Sequence, residues 1–309
     1  MSKEIIPICF TFDDNYVNPA LVAFYSMLEN ADQKYFYKIY VLQAKNNISE
    51  FSKEKLTNIV KLFNNAELEF KKVNFDIDLE WDGVFSAHFS PEILIKLILP
   101  SIFNNYDKII VSDVDVVFTG DISKSFTNYN LDNYYIAGVR SLEKLNDFYA
   151  AQSYSDEVKE KLFGSIGAGY MIYNLNAMRE NNLEDLFLDN LKRYRKIITQ
   201  PEQDIINISI DKDKILYLPL KYMFCTYMYR LIKKEKLDLS CSGKWIYYFA
   251  KKWLKKIKED KYNTKNEILE AFISPVQIHY ATGIKPWNVL FCYKKFIWLK
   301  YFSKVKKEG

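Results

Sequence analysis

Asp113 and Asp115 stand two residues apart in SDVDVV, residues 112–117, at the end of the apolar run Ile109-Ile110-Val111. Such a run reads as a buried strand. A carboxylate buried there is costly unless it is paired, hydrogen-bonded or metal-bound. In an extended chain residues i and i+2 share a face, so both carboxylates would present together while Val114 turns to the core. Two anions this close repel, and a divalent cation would relieve the repulsion; oxygen ligands suit Mg²⁺, Mn²⁺ or Ca²⁺. The D-x-D spacing alone is a weak signal, since a turn or cap after a strand gives the same pattern. The flanking valines argue against an exposed turn.

The chain has two histidines, His88 and His279. The second lies in QIHYATGIKPW, residues 277–287, where residues 276–280 read as a short strand and Gly283 with Pro286 as a loop. Backbone N–H groups in a glycine loop, together with Lys285, suit a phosphate. An imidazole added to two carboxylates shifts the preference toward Mn²⁺. Metal beside a phosphate loop implies a nucleotide substrate. The sequence carries no G-x-x-x-x-G-K-[ST] and no G-x-G-x-x-G, so neither a P-loop nor a dinucleotide fold is supported.

The elements that must position these groups alternate. Residues 5–12, 39–42, 68–73 and 108–111 read as strands. Between them come a helix opened by Asn18-Pro19, a lysine-rich helix capped by Ser52 and running through Leu62, and a helix at 92–98 behind Pro91. Alternation at this spacing predicts an α/β fold with a mostly parallel, doubly wound sheet flanked by helices. Ligands of such sheets bind beyond the carboxyl ends of the strands. Asp13 and Asn15 end the first strand, and Asp113 and Asp115 the fourth, so both clusters would border one crevice. Farther on, residues 134–139 and 168–173 read as strands and 176–194 as one helix.

The 309 residues are 49% hydrophobic and 27% charged, with only 9 Gly and 8 Pro, which excludes a disordered or collagen-like chain. A net charge of +4 does not indicate nucleic-acid binding. Cys9, Cys225, Cys241 and Cys292 form no C-x-x-C pair, so neither a zinc site nor a disulfide framework is signalled. No secretory signal and no membrane-spanning run is expected from the opening MSKEIIPICF or any later window. After Leu218-Pro219 the composition turns to Tyr, Lys and Trp, as in GKWIYYFAKKWLKKIK. The expected division is a catalytic domain over 1–287, with a closing segment at 219–287, and a basic aromatic tail at 288–309.

Several motifs, in order, resemble glycosyltransferase family 8: FTFDDNY, HFSPEILIKLILP, YDKIIVSDVDVVF, GAGYMIYNL, PEQDIIN and HYATGIKPW, together spanning residues 10–287. The resemblance implies a GT-A, Rossmann-like fold and a retaining, Mn²⁺-dependent enzyme acting on a UDP-sugar, with Mg²⁺ as a substitute ion. By the same resemblance Asp13 and Asn15 hold uracil and ribose, Tyr16 stacks on uracil, and His88 and Lys96 approach the donor. Asp113, Asp115 and His279 become metal ligands, and Asp113 and Val114 also touch the donor. Ala168, Gly169 and Glu202 line the donor sugar, Gly283 and Lys285 meet the diphosphate, and Gln203, Asp204 and Lys96 serve catalysis. An amide is a poor nucleophile, so same-face attack with Gln203 steadying positive charge on the sugar is favoured; a first-turn cap at Pro201–Asp204 is the bland alternative. Three departures stand out: Lys96 replaces the family's usual Arg, which loses a bidentate fork, Gly167 replaces its usual Asn, and Gly283 falls one place late.

The tail FCYKKFIWLKYFSKVKKEG, residues 291–309, mixes six lysines with aromatics and one glutamate. Such mixtures suit an interfacial helix on anionic lipid. The expected protein is a hexosyltransferase moving galactose or glucose to a glycan acceptor, lipopolysaccharide, lipooligosaccharide or another lipid-linked glycan. Its expected place is cytoplasmic, peripheral on the inner face of the cytoplasmic membrane. The rival readings are a sugar-nucleotide-binding protein with weak catalysis and a sugar-1-phosphate nucleotidyltransferase. The latter normally needs a glycine-rich basic loop that FTFDDNYVNPA lacks.

Overall fold

From Ile6 to Thr11 the first strand, β1 (Glu4–Thr11), is buried without interruption. A strand with no solvent face belongs inside a parallel sheet covered by helices on both sides. The computed structural model describes residues 3–44, 47–75, 90–231 and 257–308. Its further strands are β2 (Tyr35–Gln43), β3 (Ala66–Lys72), β4 (Lys108–Ser112), β5 (Val116–Phe118), β6 (Ile136–Arg140), β7 (Ile166–Asn174), β8 (Ile215–Leu218), β9 (Phe224–Cys225) and β10 (Gln277–His279).

The larger sheet has the order β3-β2-β1-β4-β7-β6-β8, and only β7 runs against its neighbours. A smaller sheet has the order β5-β10-β9. This is the mostly parallel α/β sheet that the alternation predicts. Alternate residues of its central strands divide between two cores. Ile6, Ile8, Phe10, Ile39, Val41 and Ile110 meet the helices Val17–Glu29 and Glu50–Lys61 on one side. Cys9, Tyr40, Leu42, Ile109 and Val111 meet the helices Leu183–Tyr194 and Pro201–Ser209 on the other.

Three local expectations change. The lysine-rich helix is capped by Ser49, whose hydroxyl accepts from the Ser52 N–H at 3.3 Å; Ser52 lies inside its first turn. The single helix expected over 176–194 is two, Leu175–Glu180 and Leu183–Tyr194, parted where Asn182 takes a left-handed φ of 51°. Asn tolerates that region better than most residues. The segment behind Pro91 winds as 3₁₀ turns, Pro91–Ile98, before the short helix Leu99–Ile102. Pro100 has no N–H to bond back into the preceding turn.

The C-terminal helix Lys295–Glu308 buries Trp298, Tyr301 and Val305, spaced to share one face. Trp298 and Tyr301 pack with Val22, Val117, Ile278 and Tyr280, a cluster that ties this helix to the smaller sheet. Asn30 Nδ2 donates to the Tyr301 hydroxyl at 2.9 Å, and Lys304 pairs with Glu29. One side of the expected tail is thus part of the core. Trp298→Ala should lower unfolding free energy by about 3–5 kcal/mol in denaturant titrations. Lys300→Ala, on the exposed face, should stay within about 0.5 kcal/mol of wild type.

Candidate active site

The chain leaves the larger sheet at Ser112, paired with Tyr170 of β7, and enters the smaller one at Val116, paired with His279 of β10. Asp113, Val114 and Asp115 are the crossing between the sheets. They form a bend, so the extended geometry read from the sequence is replaced, yet Val114 still points to the core and is buried. Both ends of the crossing are pinned. The Asp113 N–H donates to the Gly169 carbonyl at 3.3 Å, and the Tyr280 N–H donates to the Asp115 carbonyl at 2.9 Å.

The register at Val116 brings His279 onto both carboxylates. His279 Nε2 lies 3.1 Å from Asp115 Oδ1 and 3.4 Å from Asp113 Oδ2. One ligand atom from each of the three falls within 4.8 Å of the others. Each aspartate spends its second oxygen on a lysine. Asp113 Oδ1 accepts from Lys96 Nζ at 2.6 Å, and Asp115 Oδ2 pairs with Lys285. Lys96 is fully buried, and its other protons go to Glu202 Oε1 at 3.0 Å and the Ala168 carbonyl at 3.3 Å. Lys285 also donates to the Tyr280 carbonyl at 2.6 Å.

These contacts set the charges. Burial alone would push the His279 imidazole down, but the Asp115 carboxylate beside it, with a further contribution from Cys225, lifts it to about 10. Burial would raise the Asp115 carboxyl; His279 and Lys285 overcome that and hold it well below the ordinary range. Burial also works against the Lys96 ammonium, which Asp113 and Glu202 keep charged. For Glu202, burial wins over Lys96 and raises the carboxyl.

Asp13 closes β1 by accepting from the Asn15 N–H at 3.0 Å, which sets the turn Asp14–Tyr16. The Tyr16 ring meets Trp287 edge to face at 6.1 Å. Burial raises the Tyr16 hydroxyl, and the charges of Lys285, Asp115, Asp13 and Asp113 all act on it, so this turn borders the carboxylates. Gly283 lies exposed in the loop before Lys285, and a Cβ there would meet open space. His88 lies outside the described residues.

On the opposite wall, Gln203 Oε1 accepts from the Ala168 N–H at 3.1 Å, and its Nε2 donates to the Tyr149 hydroxyl at 3.2 Å. Asp204, expected to act on the substrate, takes another place. It is wholly buried, and its Oδ1 accepts from Tyr149 at 2.7 Å. Its Oδ2 accepts from Tyr154 at 2.7 Å and from the N–H groups of Thr199 and Gln200 at 2.8 and 2.9 Å. With its lone pairs so committed, Asp204 holds the start of the Pro201 helix and, through Tyr149, the Gln203 amide.

Other residues were not singled out from the sequence. Gln277 Nε2 donates to Ser112 Oγ at 2.9 Å and to the Gly169 carbonyl at 3.2 Å. Its place two residues before His279 on one strand could have marked it. Cys225 Sγ lies 3.8 Å from His279 Nδ1, across the β9–β10 register. Tyr149 and Tyr154 carried no local signal.

Two carboxylate oxygens and an imidazole nitrogen at this separation form a donor set that could hold a divalent cation. A basic group stands on either side, and an aromatic turn stands over the edge. The family profile of glycosyl transferase family 8 matches residues 7–290. The chain belongs to glycosyl transferase family 8. Among relatives, General stress protein A of Bacillus subtilis is 24% identical over 292 residues, 92% of this chain and 88% of that protein. Solved structures share the fold. The galactosyltransferase LgtC, solved with donor and acceptor sugar analogs, has a TM-score of 0.69 at 17% identity, covering 97% of this chain and 96% of that one. The bifunctional glycosyltransferase WbbM has a TM-score of 0.73 at 22% identity, covering all of this chain. The chain spans about half, 52%, of the WbbM chain. As a glycosyl transferase family 8 chain the protein is a glycosyltransferase, with Asp113, Asp115 and His279 its candidate metal site.

Gly169 offers a test of that site. A Cβ there would run into Cε1 and Nδ1 of His279 and lie 3.3 Å from Asp113 Oδ2. An imidazole wedged between two carboxylates cannot retreat as a flexible chain end would. Gly169→Ala should therefore weaken divalent-cation binding by about 10–100-fold in calorimetry, with the circular dichroism spectrum retained.

Proposed function

We propose that the protein moves a hexose, galactose or glucose, from a UDP-sugar to a glycan acceptor with retention of the anomeric configuration. The observation that carries this is the double bracing of the D-x-D carboxylates, each held between His279 and a lysine. With the His279 imidazole neutral, as a metal ligand must be, the five charged groups Lys96, Asp113, Asp115, Glu202 and Lys285 sum to one net negative charge. A divalent cation turns that to one net positive, which a diphosphate answers. Asp113, Asp115 and His279 would hold Mn²⁺, with Mg²⁺ as substitute. Bound there, the metal supplies charge that offsets the charge growing on the UDP diphosphate as the glycosidic bond breaks.

The chain's own groups do the rest. Tyr16, with Asp13 and Asn15, takes the nucleoside at the edge of the site. Lys285, which pairs with Asp115, would lend its charge to the diphosphate. Gln203, steadied by Ala168 and Tyr149, presents Oε1, which keeps a second lone pair, to positive charge on the sugar during same-face attack. Lys96, fully buried and so out of reach of the substrate, acts by fixing Asp113 and Glu202, while Glu202, Ala168 and Gly169 line the sugar. Asp204 acts by holding Gln203.

The tail supports a lipid-linked acceptor, such as lipopolysaccharide or lipooligosaccharide. Residues 1–287 would form the catalytic unit and 288–309 its membrane-facing edge. Leu290, Phe291 and Phe296 are 84%, 89% and 86% exposed, and exposed Lys300, Lys306 and Lys307 stand on the helix that follows. Apolar residues beside lysines suit the headgroup boundary of an anionic membrane. Among the described residues no helix is long and apolar enough to cross a membrane. The reading is of a cytoplasmic enzyme, peripheral on the inner face of the cytoplasmic membrane.

Asp115→Asn, which keeps the side-chain volume, should weaken Mn²⁺-dependent UDP binding at least about 10-fold, or about 1.4 kcal/mol, in calorimetry. Unchanged affinity in Mn²⁺ would remove the metal site from the mechanism. Wild type given a UDP-sugar without acceptor should release UDP slowly with Mn²⁺ and not in a chelator; binding with no release at all would mark a sugar-nucleotide binder. The product's anomeric proton coupling should be that of the donor's α configuration. Phe291→Ser with Phe296→Ser should reduce sedimentation with anionic vesicles at low salt, and wild-type protein left in the supernatant would refute membrane docking.

A further inference from the structure

Gly167 lies two residues before Gly169 on β7 and shares its strand face. A Cβ on Gly167 would run into Met223 Cε, with Met223 Sδ at 3.1 Å and Gln203 Oε1 at 3.7 Å. Met223 ends the 3₁₀ turn Leu220–Met223 and is buried, as are Leu220, Tyr222 and Phe224 around it. The thioether end therefore fills the volume that a side chain at 167 would take, directly beside the Gln203 amide. On its other flank that amide is fixed by Ala168 and Tyr149. The same strand face thus presents two openings made by missing side chains. The one at Gly169 is filled by a metal-ligating imidazole, and the one at Gly167 by an apolar, weakly accepting sulfur.

We propose that Met223 is a specificity-determining residue, its thioether closing the wall of the donor-sugar subsite beside Gln203 and excluding hexoses that carry an acetamido group. This rests on the UDP-sugar reading of the site. Of the groups around Gly167, Met223 offers a sugar substituent no strong hydrogen-bond donor or acceptor, and Gln203 alone does. A plain hydroxyl needs little room there. An acetamido group needs the space the thioether holds, and an amide pressed on a dry apolar wall loses its water without replacement. Methionine has three rotatable side-chain bonds, so the wall is held by the packing of its turn, and shortening the side chain opens it.

The experiment compares kcat/KM for UDP-glucose, UDP-galactose, UDP-N-acetylglucosamine and UDP-N-acetylgalactosamine, with Mn²⁺, in wild type, Met223→Ala and Met223→Leu. Thermal unfolding of each protein is followed alongside. Wild type should favour the better plain hexose over its acetamido counterpart by at least about 10-fold. M223A should shrink that ratio at least about 10-fold, chiefly through a lower KM for the acetamido donor. M223L, which keeps the volume, should hold the wild-type ratio. Should M223A fail to fold, Met223→Val replaces it and is read in the same way. A folded M223A or M223V with the wild-type ratio overturns the proposal, as does a wild type that uses both donor classes equally. Turnover of none of the four donors by wild type overturns the UDP-sugar reading itself, and this inference with it.

Discussion

Two carboxylates held within reach of one imidazole govern this structure. Left alone, Asp113 and Asp115 would repel each other across a poorly solvated crossing. The fold answers with three cations from three separate places: Lys96 from the 3₁₀ segment, His279 from β10 and Lys285 from the loop beyond it. Each supplier must then be fixed in turn. Lys96 is shared with Glu202 of the Pro201 helix, β10 is clamped between β5 and β9, and Lys285 reaches back to the Tyr280 carbonyl. The smaller sheet follows from this requirement, since it is what carries His279 to the end of β4.

The second wall shows a division between residues that touch the site and residues that aim them. Gln203 and Asp204 are neighbours on one helical turn with opposite fates. Gln203 faces the strand Ile166–Asn174, while Asp204 is enclosed by two tyrosines and two backbone N–H groups. A buried carboxylate with this many donors is a rigid anchor. Its burden passes through the Tyr149 hydroxyl, which donates to Asp204 and accepts from Gln203. The position of the Gln203 amide, held on one side by the Ala168 N–H, is thereby set on the other by a neighbour's charge.

Much of this was readable from residue types. The apolar runs gave the strands of the larger sheet, and the alternation gave their mostly parallel order. D-x-D followed by a distant histidine in a glycine loop marked the residues that meet. What could not be read depends on partners that local sequence does not name. The cap moved from Ser52 to Ser49 because either serine suits the position, and in the structure Ser49 stays exposed at the helix start while Ser52 is buried inside the first turn. The break at Asn182 needed a left-handed residue that helical periodicity does not reveal. Cys225 faces His279 only through the β9–β10 register, and Met223 matters only because Gly167 leaves it room. Asp204 looked like chemistry because a carboxylate beside Gln203 is ambiguous until its hydrogen-bond donors are known.

Asp115 and His279 are separated by 164 positions along the chain, and Trp298 and Tyr301, which pack on the sheet bearing His279, come later still. A ribosome delivers residues in order, so the carboxylates emerge long before the cations that balance them from the C-terminal side. Until residues 279–285 emerge, the D-x-D crossing lacks two of its three counter-charges, and until Lys295–Glu308 follow, the smaller sheet lacks its covering helix. A nascent chain that has not yet reached residues 279–308 can thus carry the strands of the larger sheet and still lack a complete centre. The order of synthesis thus places assembly of this centre after formation of the strands that lead into its carboxylates.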